Sequence, residues 1–186
     1  ISMDSIKIVG FTGSLRKGSY NKAALRAAGE LLPQGASLEI LDLSRIPFFN
    51  EDLEHGELPA PVVEFKKKVA GADALLISTP EYNYSIPPVL KNALDWASRD
   101  QTHPLSGKPL AIMSVSPSLL GGARVQYHLR QVCVVLNLEV LNQPEVFIGL
   151  AAGKFSADGK LTDEETRSRI AELIQALVDQ ARKLKK

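Results

Sequence analysis

The sequence predicts an α/β protein built on a doubly wound parallel sheet with helices on both faces. Three observations predict it. Along the 186 residues the apolar period alternates between that of short buried strands and that of amphipathic helices. The strand runs are apolar rather than alternating, as strands covered on both faces are. No repeat, low-complexity tract or linker divides the chain, so residues 4–186 read as one domain.

Ile6 to Phe11 reads as the first strand, and Asn21 to Leu32, carrying Ala23, Ala24, Leu25, Ala27, Ala28 and Leu31, as the first helix. Leu38 to Leu41 is a second strand. Residues 42–61 are polar and punctuated by proline, so they read as a long loop. Val62 to Ala70 gives a short helix before the strand Ala74 to Thr79. Pro87-Pro88 stands where a first helical turn tolerates proline, and Leu90, Ala93, Leu94 and Ala97 supply the stripe that follows. Pro109 to Val115 is the fourth strand. Leu119 to Leu136 reads as a long helix, apolar on more than one face, which suggests burial against another subunit as well as the sheet. Leu138 to Leu141 supplies the fifth strand, with Val146-Phe147-Ile148 as a candidate continuation. Asp158-Gly159 marks a turn. Thr162 and Glu165 form a capping box for the last helix, whose stripe is Ile170, Leu173, Ile174, Leu177, Val178 and Ala181.

Five strands alternating with helices fit a flavodoxin-like order. In such sheets ligands bind beyond the carboxyl ends of the strands, where the strand order reverses. Here that point lies between the first and third strands, so the loops after them are the places to look.

Composition narrows the classes. Hydrophobic residues make up 45% and the formal net charge is +1, so no field for nucleic acid or a membrane surface is expected. The most apolar run, Val132 to Leu141, is too short to span a bilayer. One cysteine, Cys133, excludes an intrachain disulfide and suits a reducing, cytoplasmic setting. Residues 1–4 read as an appendage around a start at Met3, not as a signal peptide. His55, His103 and His128 are scattered without metal-ligand spacing. No metal site, general acid or general base is nominated.

The loop after strand one is Gly13-Ser14-Leu15-Arg16-Lys17-Gly18-Ser19-Tyr20-Asn21, running directly into a helix. A helix start offers free N–H groups and a positive dipole end, which suit an anion. The Ser14 and Ser19 hydroxyls, the Asn21 amide and the Arg16 guanidinium add donors for a phosphate. The spacing of Gly13 and Gly18 imitates a Walker loop, but Ser19 stands where that loop needs lysine. The dinucleotide fingerprint is absent too. Many donors in little room point to one terminal phosphate. The plainer alternative is that Ser19 and Asn21 cap a helix.

After strand three comes Thr79-Pro80-Glu81-Tyr82-Asn83-Tyr84-Ser85. Two tyrosines and an asparagine in a proline-led loop can offer amides and flat surfaces to an aromatic ring, as an isoalloxazine requires. Alone, the run is also a turn before a helix.

These two loops, together with Lys91-Asn92-Ala93-Leu94-Asp95-Trp96, the stretch from Gly121 to Gln131 and the turn from Ala157 to Thr162, resemble the NADPH-dependent FMN reductase family, within it the quinone and chromate reductase branch. The likeness runs from Lys7 to the final helix. The resemblance implies non-covalent FMN, with Ser14, Arg16, Ser19 and Asn21 taking the phosphate and Tyr20 beside them. Pro80, Glu81, Tyr82, Asn83 and Tyr84 would run along the ring, and Ser116 would close the pocket. Ser116-Pro117-Ser118 departs from the family pattern by placing a proline in that third loop. NADPH or NADH would be co-substrate in a ping-pong reaction, and a small soluble molecule (quinone, chromate, ferric chelate, azo dye or free flavin) the acceptor.

Asp95 and Arg99 are spaced for an ion pair beside a packed Trp96. The resemblance implies instead a subunit contact near the flavin, with Arg124, Tyr127 and Glu145 able to join it, in a homodimer or homotetramer. A flavodoxin-type electron carrier and a flavin-binding regulatory module are the rival readings. A receiver domain lacks its aspartate at Ser78-Thr79-Pro80, and a low-molecular-weight phosphatase lacks its cysteine loop.

Overall fold

The computed structural model describes residues 5–99 and 102–185. The reading of residues 1–4 as an appendage lies outside the described residues. One parallel sheet runs in the order β2-β1-β3-β4, from β1 (Ile6–Phe11), β2 (Ala36–Leu41), β3 (Ala74–Thr79) and β4 (Pro109–Val115). This is the flavodoxin-like α/β order the sequence predicts.

The fifth strand is two short pieces. β5 (Glu139–Val140) pairs with the start of β4, and β6 (Val146–Ile148) with its end, Met113 to Val115. Pro144 stands in the interruption and has no N–H to give a ladder.

β3 and β4 are buried at every position, which is why they read as unbroken apolar runs. On one face of the sheet lie α1 (Tyr20–Glu30) and α5 (Glu164–Leu184), packing Leu25, Ile170, Ile174 and Leu177 on Ile8, Leu76 and Met113. On the other lie α2 (Ala60–Ala70), α3 (Pro88–Ser98) and α4 (Ala123–Val135), bringing Phe65, Leu94 and Leu129 against Phe11, Leu75 and Ile112. No helix among the described residues is long and apolar enough to cross a membrane.

Four local expectations change. The long helix after β4 does not begin at Leu119. Gly121 and Gly122 have φ of 58° and 84°, and a Cβ on Gly121 would stand 2.7 Å from the Gly149 nitrogen. The chain must pass β6 closely there, in a conformation a helix cannot hold, so α4 starts at Ala123 and Leu119 and Leu120 stay exposed. At α5, Asp163 rather than Thr162 is the cap, its carboxylate accepting from the Thr166 N–H at 2.9 Å. Thr162 is drawn instead to the Lys154 carbonyl.

The Asp95–Arg99 pair does not form. Lys91 takes Asp95 at 2.8 Å, and Arg99 reaches Glu54 at 2.9 Å. Last, the 42–61 loop is not loose. It contains a 3-10 turn, Glu51–Glu54, and is fastened to α3. Asn92 accepts from the Phe49 N–H and donates to the Pro47 carbonyl, and the fully buried Trp96 donates its Nε1–H to the same carbonyl.

Candidate functional site

The strand order reverses between β1 and β3, and an open cleft of about 440 Å³ lies at the carboxyl ends of β1, β3 and β4. Small-molecule sites are ordinarily of this size. Ser14, Arg16, Ser19, Tyr20, Asn21, Pro80, Glu81, Tyr82 and Ser116 all line it, with Val115 and Pro117. The loops after β1 and β3 therefore converge as the strand order suggested, and the loop after β4, named from the resemblance, joins them. Asn83 and Tyr84 stand outside the lining.

The loop after β1 is held tightly. A Cβ on Gly13 would lie 2.9 Å from the Cβ atoms of Pro87 and Leu90, so only glycine lets the loop press on the start of α3. The Ser14 N–H bonds to the Thr12 hydroxyl at 3.2 Å. Ser19 caps α1, its Oγ accepting from the Lys22 N–H. Its own hydroxyl hydrogen is left to donate, and the first-turn N–H groups of the helix have no partner within it. The Arg16 guanidinium stands 5.3 Å from the centre of the Tyr20 ring and pairs with no carboxylate among the described residues. The Tyr20 ring rests on Phe155, 4.8 Å between centroids.

The loop after β3 is a tight two-residue turn. Tyr82 and Ser85 exchange both backbone bonds, at 3.0 and 2.9 Å, and Asn83 and Tyr84 take φ of 49° and 69°. Such a turn favours asparagine or glycine, so a tyrosine there needs support. Arg124 supplies part of it, its guanidinium 3.6 Å from the centre of the Tyr84 ring. Another part comes from the Glu81 carboxylate, which accepts from Arg124 Nε at 2.9 Å and from the Val125 N–H, in the first turn of α4, at 3.1 Å. His128 Nδ1 meets the Ser85 hydroxyl at 3.1 Å.

Sequence reasoning did not find this anchoring of Glu81. An acid directly before a tyrosine-rich turn carries no local sign of a partner 43 positions away. Val115 was missed as well, and Pro117, singled out as a departure in the third loop, was not named as a site residue.

The third loop is set by β6. Ser116 donates its N–H to the Ile148 carbonyl, and its hydroxyl meets that of Ser118 at 2.9 Å. Proline at 117 leaves Ser116 on the cleft wall. Cys133 lies buried on α4 away from the cleft, and burial pushes its thiol up to about 12.

The donor set fits a flavin mononucleotide: two hydroxyls, a guanidinium without a carboxylate partner among the described residues and a helix start suit the phosphate, and Pro80 to Tyr82 line the rest of the cleft. The NADPH-dependent FMN reductase family matches residues 6–153. The chain belongs to that family.

Membership makes it an NAD(P)H-dependent oxidoreductase that uses FMN. The chain is 50% identical over 182 residues to an NAD(P)H-dependent FMN reductase of Pseudomonas aeruginosa, with 98% of each chain covered. It is 47% identical over 186 residues to the NAD(P)H:quinone oxidoreductase of Solanum tuberosum, covering 97% of this chain and 95% of that one. Among solved structures it is similar to FerB, the flavoenzyme NAD(P)H:(acceptor) oxidoreductase of Paracoccus denitrificans. The TM-score is 0.87 at 32% identity, covering 96% of this chain and 98% of that one. In this reductase the family's paired loops are thus carried by one cleft.

Proposed function

We propose that this reductase transfers electrons from NADPH or NADH to quinones by a ping-pong route. The convergence of Ser14, Arg16, Ser19, Tyr20, Pro80, Tyr82 and Ser116 on one cleft at the sheet's switch point carries the reading. The relatives named as quinone oxidoreductases support the acceptor class.

When bound, FMN supplies a ring that takes up a hydride from the nicotinamide and yields electrons to the acceptor. The chain's own residues hold and screen. Ser14 and Ser19 donate hydroxyls to the phosphate, Arg16 supplies a delocalised positive charge, and the first turn of α1 adds N–H groups and its dipole end. Pro80, Glu81 and Tyr82 give the ring a wall, with the Glu81 carboxylate already engaged by α4. Ser116 faces the same cleft from the opposite loop. The cleft is open on one side, so nicotinamide and acceptor use the same entrance in turn. Chromate, ferric chelates, azo dyes and free flavin are small enough to follow the same path.

The visible spectrum of the freshly purified protein, taken before and after adding NADPH without air, tests the cofactor half of the proposal. Flavin bands that bleach support it, and a protein that stays colourless after soaking with FMN overturns it. Initial rates over a grid of NADPH and benzoquinone concentrations test the route, parallel double-reciprocal lines being expected and intersecting ones refuting it. The exposed Val134 and Val135 on α4 support a homodimer or homotetramer, which a monomer mass by light scattering at micromolar concentration would exclude. A need for NADPH or NADH and a free, buried Cys133 favour the cytoplasm.

A further inference from the structure

Asn21 stands in the motif as a phosphate donor, but its side-chain bonds run elsewhere. Its Oδ1 accepts from the Val115 N–H at 3.1 Å and from the Ser78 hydroxyl at 2.9 Å, while its Nδ2 donates to the Val115 carbonyl at 3.1 Å. An amide oxygen has two lone pairs and its nitrogen two N–H donors, so Oδ1 is fully used and one of the two Nδ2 hydrogens is committed to Val115. Asn21 is 3% exposed and Ser78 0%.

The place explains the pattern. On the β3 side, the last pair of the β4 ladder is Thr79 with Ser114. Val115 comes next and presents its N–H and C=O toward a strand that has ended, while Ser116 turns to β6. The Asn21 amide meets both groups, standing in for one more residue of β3. A buried backbone pair would otherwise be left unsatisfied.

We propose that Asn21 is a positioning residue for FMN. It fastens the first turn of α1 to the ends of β3 and β4, and it acts on the phosphate through the aim of that turn. The inference rests on the reading of Ser14 to Ser19 as the phosphate loop. Ser19 and the Tyr20 N–H lie within two residues of Asn21, so a slip at Asn21 moves both. The Ser78 hydroxyl bonds to Asn21, and Ser78 is buried in β3 and absent from the cleft wall. That makes Ser78 the discriminating position.

The experiment titrates the flavin-free full chain with FMN and with riboflavin, which lacks the phosphate, following flavin fluorescence. Ser78→Ala should weaken FMN about tenfold, because the Asn21 amide loses one of the two donors that fix its oxygen, and riboflavin less than about twofold. Asn21→Ala should weaken FMN at least as much, and the double variant no more than Asn21→Ala alone, because Ser78 works through Asn21. The Val115 amide, which no flavin need touch, should exchange its hydrogen several-fold faster in Asn21→Ala.

Unchanged FMN affinity in Ser78→Ala overturns the proposal, as does an equal loss for both flavins. An FMN loss confined to Asn21→Ala would make Asn21 a direct ligand and overturn it too. If Ser78→Ala does not fold, Ser78→Cys, similar in volume but a weaker donor, is read by the same ratio. A wild-type chain that binds neither flavin would instead overturn the phosphate-loop reading, and this inference with it.

Discussion

Replacing Glu81 by alanine removes two bonds at once, from Arg124 Nε at 2.9 Å and from the Val125 N–H at 3.1 Å. The Glu81 side chain is 9% exposed, so its bond from Val125 counts as one to a charged, nearly buried acceptor, about 1.5–2 kcal/mol. The Arg124 side chain is 36% exposed, and solvent reduces the ion pair to about 0.5–1 kcal/mol. Losing a negative charge from the N-terminal end of α4 adds about 0.5 kcal/mol. Glu81→Ala should therefore cost about 3 kcal/mol of stability, and Glu81→Gln, which keeps one acceptor, about half of that. Urea unfolding of the flavin-free protein, followed by fluorescence of the lone tryptophan Trp96, reads the difference without a contribution from bound ligand. Arg124→Ala should lose the ion pair and the Tyr84 contact only, with a coupling to Glu81 of about 1 kcal/mol in a double-mutant cycle. A Glu81→Ala protein within about 0.5 kcal/mol of wild type would refute the anchoring, because surface changes without a structural role fall in that range.

Gly13→Ala forces a Cβ to within 2.9 Å of Pro87 and Leu90, so thermal unfolding should show a loss of about 1–3 kcal/mol, with weaker FMN binding. Asn92→Ala removes the bonds at 2.7 and 2.9 Å that hold residues 47–49 to α3. Limited proteolysis should then cut near residues 48–55 faster than in wild type, and an unchanged digestion rate would refute that latch. The Cys133 thiol is raised from 9.0 to about 12 by burial, so Ellman's reagent at pH 8 should label it only after unfolding. Its folded pKa lies above its unfolded one, so its contribution is complete below pH 9 and is lost as pH rises toward 12. The slope there should approach about 1.4 kcal/mol per pH unit, and Cys133→Ala should remove that alkaline slope.

What the sequence made legible follows from what is local. β1, β3 and β4 were readable because strands covered on both faces must be apolar along their length, and α5 because its stripe repeats at helical spacing. That the loops after β1 and β3 share a cleft was readable because they follow the strands on either side of the point where the strand order reverses. What stayed hidden depends on partners distant in sequence. Nothing near Gly121 announces the Gly149 nitrogen that its chain passes at van der Waals range, so the start of α4 was placed too early. Thr162 and Asp163 are both good caps, and only the Lys154 carbonyl decides between them. Trp96 reads in the sequence as a packed tryptophan or a subunit contact, and nothing near it or Asn92 announces the bonds to Pro47 and Phe49.

Glu81 shows why a carboxylate belongs in a cleft that must receive a phosphate. Two like charges 4 Å apart repel by about 4 kcal/mol near a protein surface, so a carboxylate loose in the cleft would oppose binding. Bound to Arg124 and to the first turn of α4, it is compensated by two positive sources although it lines the cleft. The same bonds hold a turn in which Asn83 and Tyr84 both take left-handed backbone, a conformation worth about 1–2 kcal/mol against a tyrosine. A leucine at 81 would avoid the repulsion but could not hold that turn. A glutamine would lie between the two, meeting one donor and leaving Arg124 without its counter-charge. Within Pro80 to Ser85, then, Glu81 anchors, Asn83 and Tyr84 reverse the chain, and Pro80 and Tyr82 line the cleft.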